Sequence, residues 1–206
     1  MRRIGHRGAM GHAPENTVAS FEKAIALGCD EVETDVWLTA DGLLLISHDR
    51  PGDGTTLTLD AVLDVCRGRL GVNVELKADR DEQQAAETGR RVARRLAERS
   101  DPDAYLSSFW WSALVAAQDA APEVRRAFVF SDSPDRDALI ASARSAGLWA
   151  LHPNRAYVTR ELVSAAHAAG LRVNVWTVDD PDEIAACVSL GVDGIMSNRP
   201  ERIPKG

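Results

Sequence analysis

Long hydrophobic runs are absent from this 206-residue sequence, and the apolar stretch at residues 43–46 is far too short to span a bilayer. The N-terminus leads from Met1 directly into a His-Arg-Gly motif, without the apolar region that a signal peptide requires. We therefore expect a cytoplasmic protein that has no integral membrane segment.

Cysteine is also scarce. Cys29, Cys66 and Cys187 are an odd number of residues, lie far apart in the sequence and form no C-x-x-C pair. This spacing indicates neither a disulfide framework nor a zinc site. Each cysteine is instead expected to be a small, buried, apolar residue.

An excess of positive charge is missing as well. The sequence has 24 Lys and Arg residues against 31 Asp and Glu residues, which gives a net charge of -7. A chain with this balance repels a polyanion unless its basic groups are concentrated in one place, so nucleic acid is not an expected partner. The apolar content of 45% and charged content of 27% are typical of a globular domain.

Short β-rich runs alternate with amphipathic helical stretches along the whole chain, a pattern typical of a parallel sheet with crossover helices. The predicted strands are residues 3–6, 31–37, 72–77, 104–107, 126–130, 149–152, 172–177 and 194–197, and a further extended segment is expected at 43–48. The predicted helices are 17–27, 59–67, 81–99, 111–120, 134–146, 159–168 and 182–190.

Eight strand-helix steps favour a closed TIM (β/α)8 barrel over an open, doubly wound sheet, and roughly 200 residues suffice for such a barrel. No long Pro/Gly/Ser-rich stretch divides the sequence, so we expect a single domain over residues 1–206. Gly28 and Gly191 stand where helices are expected to end, and Asp180-Pro181 stands where one is expected to begin.

Three carboxylates are expected to face one cavity. Glu33 and Asp35 lie two residues apart in a predicted strand, so they project to the same side, and Glu75 holds the equivalent parity in the next strand. Strand ends of this kind line the mouth of a barrel. Three converging carboxylates repel one another unless they are protonated, paired with basic neighbours or bridged by a cation, and oxygen ligands suit Mg²⁺ or Ca²⁺.

Two histidines and two cations are expected near the same mouth. His6 ends the first predicted strand and His48 ends the extended segment, and either imidazole can transfer a proton near neutral pH. Arg7 and Lys77 supply fixed positive charge that suits phosphate oxygens. This set predicts metal-assisted displacement on a phosphate ester. His12 and His167 are expected to be surface groups, and His152 is a candidate substrate contact.

An ordered series of short motifs resembles the glycerophosphodiester phosphodiesterase family over nearly the whole chain. The matching motifs are His6-Arg7-Gly8, Pro14-Glu15-Asn16-Thr17, Glu33-Thr34-Asp35-Val36, Thr39-Ala40-Asp41-Gly42, His48-Asp49, Glu75-Leu76-Lys77, Trp176-Thr177 and the segment from Gly191 to Pro200.

The resemblance implies a TIM barrel that binds one divalent cation, Mg²⁺ or Ca²⁺. It also implies a role for each of eight residues: metal ligation by Glu33, Asp35 and Glu75, general acid and base catalysis by His6 and His48, phosphate binding by Arg7 and Lys77, and an apolar wall from Trp176. Asn16 is expected to bridge to the metal ligands, while Asn16 or Thr17 caps the following helix.

Two features depart from the family pattern. The family usually carries a long insertion after its His-Asp pair, whereas here only residues 50–56 separate His48-Asp49 from the next helical stretch. Asn198 stands where the family often has Asp. The missing insertion predicts an open mouth that accepts larger or different alcohol groups.

The function we expect is hydrolysis of a glycerophosphodiester, a small-molecule substrate of lipid metabolism, to sn-glycerol 3-phosphate and an alcohol. An alternative is a lysophospholipase D-type phosphodiesterase that acts on lysophospholipids. A glycoside hydrolase is more remote, because such an enzyme needs no metal and leaves the histidines and cations without a role. A non-catalytic ligand-binding barrel is the other remote alternative.

Overall fold

The computed structural model describes residues 1–79, 81–101 and 103–205. In that part of the chain the backbone forms nine β-strands and seven α-helices. The strands are β1 (Arg2–Gly5), β2 (Glu31–Leu38), β3 (Leu44–Ile46), β4 (Gly71–Leu76), β5 (Ala104–Ser108), β6 (Arg126–Phe130), β7 (Ala150–Pro153), β8 (Arg172–Val175) and β9 (Gly194–Ser197). The helices are α1 (Val18–Leu27), α2 (Leu59–Cys66), α3 (Glu82–Arg99), α4 (Trp111–Ala120), α5 (Arg136–Ser145), α6 (Arg160–Ala168) and α7 (Pro181–Leu190).

Eight parallel strands close into a barrel, which confirms the expected TIM fold. Each of the strands β1, β2 and β4 to β9 pairs with its neighbours in parallel, and β1 pairs with both β9 and β2 to complete the ring. The helices that follow the strands cover the outside, as the parallel connections require. Strand β3 is the exception, because it runs antiparallel to the outer end of β2 and forms a hairpin with it.

Alternation along the strands separates the core from the barrel interior. Val32 and Val74 are fully buried and belong to the apolar cluster that includes Phe21 and Leu63 of the surrounding helices. Residues of the other parity, such as Glu33, project into the barrel. The apolar layer between strands and helices therefore supplies the main hydrophobic stabilisation, at about 25 cal/mol for each Å² of buried apolar area.

Sequence-encoded caps fix the helix ends. Thr17 accepts the backbone N–H of Ser20 at the start of α1, and Asp180 caps α7 ahead of Pro181. Gly28 ends α1 in the left-handed region with φ of 73°, a conformation that is strained for any residue with a Cβ. The expected helix boundaries are thus confirmed to within two residues at each end.

The N-terminal end of the barrel is closed by side chains. Tyr105 Oη donates a 3.0 Å hydrogen bond to Glu31, which also pairs with Arg2. The Arg125 and Arg172 guanidinium groups lie 4.8 and 5.3 Å from the centre of a Trp149 ring. We therefore expect the active site at the opposite, C-terminal end of the barrel.

Cys29, Cys66 and Cys187 are free and buried as expected, and burial raises the pKa of Cys29 and of Cys66 to about 12. The seventh parallel strand is shorter than predicted, because β8 ends at Val175 and Trp176 makes only an isolated bridge to Asn154. Within the described residues, no helix combines the length and apolar content needed to cross a membrane.

Candidate active site

The three carboxylates converge at the C-terminal mouth of the barrel, as the strand parity predicts. In the register of β2 and β4, Asp35 pairs with Glu75 and Glu33 lies one inward position deeper. One carboxylate oxygen from each of Glu33, Asp35 and Glu75 lies within 4.8 Å of the others. Glu33 and Asp35 are each only 1% exposed, whereas Glu75 is partly buried, with 14% of its side chain exposed.

Basic groups compensate only part of this negative charge. Lys77 Nζ lies 2.9 Å from Asp35 Oδ1 and also contacts Glu75, while Arg7 Nε lies 3.2 Å from Asp35 Oδ2. Burial, reinforced by the charges of Asp35 and Glu75, holds the pKa of Glu33 well above its usual range. Burial also raises the pKa of Glu75, although Lys77 opposes that change. The cluster therefore has a deficit of positive charge around Glu33.

The donor set fits a hard divalent cation. Glu33 Oε1 is buried and has no hydrogen-bond partner among the described residues, whereas Oε2 accepts the Arg7 backbone N–H at 3.0 Å. Buried carboxylate oxygens of this kind are normally paired or bound to metal. Glu33, Asp35 and Glu75 can consequently hold one metal ion, in agreement with the sequence expectation.

Asn16 connects the loop after β1 to this cluster. Its Nδ2 donates to Asp35 Oδ2 at 2.9 Å, and its Oδ1 accepts from Thr34 Oγ1 at 2.8 Å. The expected bridge is therefore present. Helix capping is performed by the neighbouring Thr17. Asn16 orients Asp35, because both ends of its amide are occupied.

His6 follows β1 and lies beside the carboxylates. Its Nδ1 is 2.7 Å from Asn198 Oδ1, and its Nε2 is 3.9 Å from Glu33 Oε2. Burial lowers the pKa of His6 below its usual value, against the opposing hydrogen bond from Asn198. The imidazole is thus neutral near pH 7, with Nε2 directed toward the cluster.

The β2–β3 hairpin brings His48 to the same end of the barrel. The Ser47 N–H donates to the Asp35 carbonyl at 3.2 Å, and Trp37 Nε1 donates to the Ser47 carbonyl at 3.1 Å. His48 Nδ1 lies 3.0 Å from Asp49, and 40% of its side chain is exposed. His48 therefore follows the β2–β3 hairpin at the C-terminal end of the barrel, with its imidazole partly exposed.

Trp176 lies at the mouth, just beyond β8. Its Nε1 donates to the His152 carbonyl at 2.8 Å, and its ring meets Phe109 edge to face with centroids 5.5 Å apart. Phe109 is 40% exposed directly after β5, and the sequence analysis missed it. An aromatic residue immediately following a strand's C-terminal end is the signal that could have identified it.

The other histidines lie outside this site. His12 pairs with Glu201 and His167 with Asp193, each at 2.9 Å, as expected for groups near the surface. The His152 side chain is fully buried inside the barrel, and its role as a substrate contact stays a prediction. Burial lowers its pKa to about 3, so His152 is neutral.

A closed parallel barrel with a carboxylate cluster, two histidines and two cations at its C-terminal mouth is the arrangement of a TIM-barrel enzyme acting on phosphate esters. A sequence model of the glycerophosphoryl diester phosphodiesterase family matches residues 6–70 and 57–202. Because these segments span most of the sequence, the chain belongs to this family of phosphoric diester hydrolases.

Individual relatives agree with the family match. A glycerophosphodiester phosphodiesterase from Bacillus altitudinis is 30% identical over 98% of this chain and 96% of its own length. One from Caldanaerobacter subterraneus is 28% identical over 97% of this chain and 95% of its own length. The structure of an Oleispira antarctica phosphodiesterase in complex with the product sn-glycerol-3-phosphate is 29% identical, with a TM-score of 0.87, and the match covers 98% and 95% of the two chains.

The relatives are somewhat longer than this chain. The Bacillus altitudinis alignment extends over 242 residues, against the 206 residues of this sequence. The two segments of the family match also overlap at residues 57–70, directly after the short connection at 50–56. Arg50 ties that connection to Asp79 through a 2.9 Å ion pair.

Proposed function

We propose that this chain is a metal-dependent phosphodiesterase that hydrolyses glycerophosphodiesters to sn-glycerol 3-phosphate and an alcohol. The observation that carries the proposal is the convergence of Glu33, Asp35 and Glu75 beside His6 at the barrel mouth. The product-bound Oleispira antarctica relative supports the glycerol phosphate part of the substrate.

The phosphate group would bind between the carboxylate cluster and the two nearby cations. Glu33, Asp35 and Glu75 would hold one divalent cation, Mg²⁺ or Ca²⁺, which when bound polarises a phosphoryl oxygen and offsets charge that develops in the transition state. Arg7 and Lys77 would contact the remaining phosphate oxygens, Arg7 through its guanidinium fork and Lys77 as a point charge. Both are already held beside Asp35.

The two histidines would divide proton transfer between them. His6 is neutral, so its Nε2 accepts the proton from the attacking hydroxyl, which belongs either to water or to the glycerol moiety of the substrate. His48, whose imidazole is partly exposed, donates a proton to the departing alcohol oxygen.

The open mouth supports a second candidate substrate. Only residues 50–56 follow the His48-Asp49 pair, and the exposed Phe109 ring lies against Trp176. These aromatic faces would pack against the glycerol moiety or an attached acyl chain. Lysophospholipids are therefore the alternative substrate class.

The same proposal includes the domain organisation, the cellular location and the kind of partner. Residues 1–206 would act as one catalytic domain, located in the cytoplasm and engaged in lipid metabolism. The net charge of -7 argues against nucleic acid as a partner.

Substrate choice can be tested by supplying glycerophosphocholine or lysophosphatidylcholine to the purified protein with Mg²⁺ or Ca²⁺. Release of sn-glycerol 3-phosphate and choline from glycerophosphocholine is the expected result. Choline release from lysophosphatidylcholine alone would favour the alternative substrate. Failure to cleave either diester with either metal would contradict the proposed function.

A further inference from the structure

His6 is connected through Asn198 to a partly buried carboxylate, Asp179, in the loop between β8 and α7. We propose that Asp179 and Asn198 are positioning residues that hold neutral His6 in the tautomer with hydrogen on Nδ1, leaving Nε2 free to accept a proton. The catalytic consequence rests on the proposed function, in which His6 is a base. The tautomer itself can be tested without activity.

The Asp179 carboxylate fixes the orientation of the Asn198 amide. Asp179 Oδ1 accepts the Ser197 hydroxyl at 2.7 Å and the Asn198 backbone N–H at 2.8 Å, and Asp179 Oδ2 accepts Asn198 Nδ2 at 2.6 Å. Burial opposes ionisation of Asp179, but these hydrogen bonds outweigh it and hold the pKa of Asp179 below its usual value. An ionised carboxylate only accepts hydrogen bonds, so the amide nitrogen must face Asp179.

The orientation of the amide then decides the position of the His6 proton. With its nitrogen committed to Asp179, Asn198 presents its oxygen to His6 Nδ1 at 2.7 Å. An amide oxygen cannot donate, so the hydrogen in this contact belongs to Nδ1. The lone pair of neutral His6 is therefore on Nε2, the atom 3.9 Å from Glu33 Oε2. The opposite tautomer would present an N–H at that position and could not act as a base.

Backbone contacts hold the three residues in place. The His6 N–H donates to the Ser197 carbonyl at 3.0 Å, which extends the β1–β9 pairing to the base of the imidazole. Gly11 N–H donates to the Asn198 carbonyl at 2.9 Å, and Arg202 donates to the Asp179 carbonyl at 2.8 Å. The hydrogen bonds among His6, Asn198 and Asp179 therefore join the three loops that follow β1, β8 and β9.

Exchanging the amide and the carboxylate tests the proposal. In Asp179→Asn, the new amide nitrogen would meet the Asn198 nitrogen, so Asn198 would rotate and offer N–H to His6 Nδ1, forcing hydrogen onto Nε2. In Asn198→Asp, two carboxylates would face each other. In the double variant Asp179→Asn/Asn198→Asp, the new Asn accepts from Ser197 and donates to the new Asp, which accepts from His6. The net charge of the double variant equals that of the wild type.

The primary readout is the tautomer of His6, measured by long-range ¹H–¹⁵N NMR on protein labelled with ¹⁵N-histidine, with His6→Ala used for assignment. The wild type and the double variant are expected to carry hydrogen on Nδ1, and Asp179→Asn on Nε2. Asp193→Asn, which alters the carboxylate beside His167 at the other end of the barrel, is the matched control and should leave both tautomer and activity unchanged.

Activity gives the second readout. Each single variant is expected to lower kcat by about 10²-fold, the lower end of the usual contribution of a general base, with little change in KM, and the double variant is expected to recover most of it. Hydrogen on Nε2 of His6 in the wild type, or an inactive double variant that folds normally, would overturn the proposal. Hydrogen on Nδ1 in the wild type, combined with full activity in His6→Ala, would instead overturn the catalytic role of His6. The positioning of His6 by Asp179 and Asn198 would still hold.

Discussion

At the scale of single residues, the surroundings of five identical imidazoles give them different properties. His12 and His167 pair with carboxylates near the surface, and His152 is enclosed in the barrel. His6 lies beside the carboxylate cluster, mostly buried and neutral, and His48 follows the hairpin at the same end of the barrel, partly exposed. Burial and hydrogen-bond partners, rather than residue type, thus distinguish the proposed proton-transfer groups from the others.

Replacing either mouth histidine should remove one proton transfer. We expect His6→Ala and His48→Ala each to lower kcat for glycerophosphocholine by about 10²- to 10⁴-fold, with a cooperative thermal transition retained. His167→Ala is the matched control, because its imidazole lies at the opposite end of the barrel and should leave kcat unchanged. Near-wild-type rates in both mouth variants would contradict the acid and base assignment.

The buried His152 should make stability depend on pH. Burial lowers its pKa to about 3 in the folded state, whereas an unfolded chain has a histidine pKa of about 6.5. Below about pH 6.5 the unfolded state therefore binds a proton that the folded state does not. This contribution should reduce the free energy of unfolding by about 1.4 kcal/mol for each pH unit lost between 6.5 and 3.

Urea unfolding of the wild type and His152→Gln at pH 6.5, 5.5 and 4.5 would measure this effect. Carboxylate titrations are common to both proteins, so the difference between their slopes isolates His152. A His152→Gln variant with the same pH slope as the wild type would show that the folded barrel accepts a charged imidazole.

At the scale of secondary-structure elements, local sequence signals predict most of the framework. Strand parity places Glu33, Asp35 and Glu75 on the inward face, and the caps at Thr17 and Asp180 mark helix starts. The extended segment expected at residues 43–48 is present as the antiparallel strand β3, which covers Leu44–Ile46.

Contacts between distant segments were not predictable from these signals. Asp179 meets Asn198 across 19 residues, and neither residue belongs to a local cap or turn pattern. The Phe109–Trp176 contact likewise joins two loops that only barrel closure brings together. His152 stands near the end of its strand, as a mouth residue would, but the surrounding side chains enclose it completely, which the sequence did not indicate.

The packing of α3 against α4 depends on a glycine. A Cβ on Gly89 would lie 2.2 Å from the Ala113 carbonyl oxygen, which is backbone and cannot move aside independently. We expect Gly89→Ala to destabilise the protein by about 1–3 kcal/mol through overpacking, despite a gain of about 1 kcal/mol in helix propensity.

Thermal and urea unfolding of Gly89→Ala measures this cost. Gly52→Ala is a suitable control, because no atom lies within 4 Å of a Cβ at that position and its stability should change little. Unchanged or increased stability in Gly89→Ala would mean that the two helices separate without penalty.

At the scale of the whole molecule, the barrel divides structural and chemical tasks between its two ends. Tyr105 and Glu31 close the N-terminal end with buried polar contacts, and the C-terminal end gathers the three carboxylates that could hold a metal ion. The family match covers most of the chain, and the relatives are longer. The barrel is therefore retained, although the connection after His48-Asp49 is short. We therefore expect the carboxylate site to function with only a short connection after the His48-Asp49 pair.

The most direct test of that claim is sn-glycerol 3-phosphate release from glycerophosphocholine by protein treated with EDTA and then titrated with Mg²⁺ or Ca²⁺. We expect the chelated protein to be inactive, metal to restore turnover in the wild type, and Glu75→Gln to require far more metal or remain inactive, because it lacks one of the three anionic ligands. Full activity in EDTA, or equal restoration of Glu75→Gln and the wild type at the same metal concentration, would contradict the account.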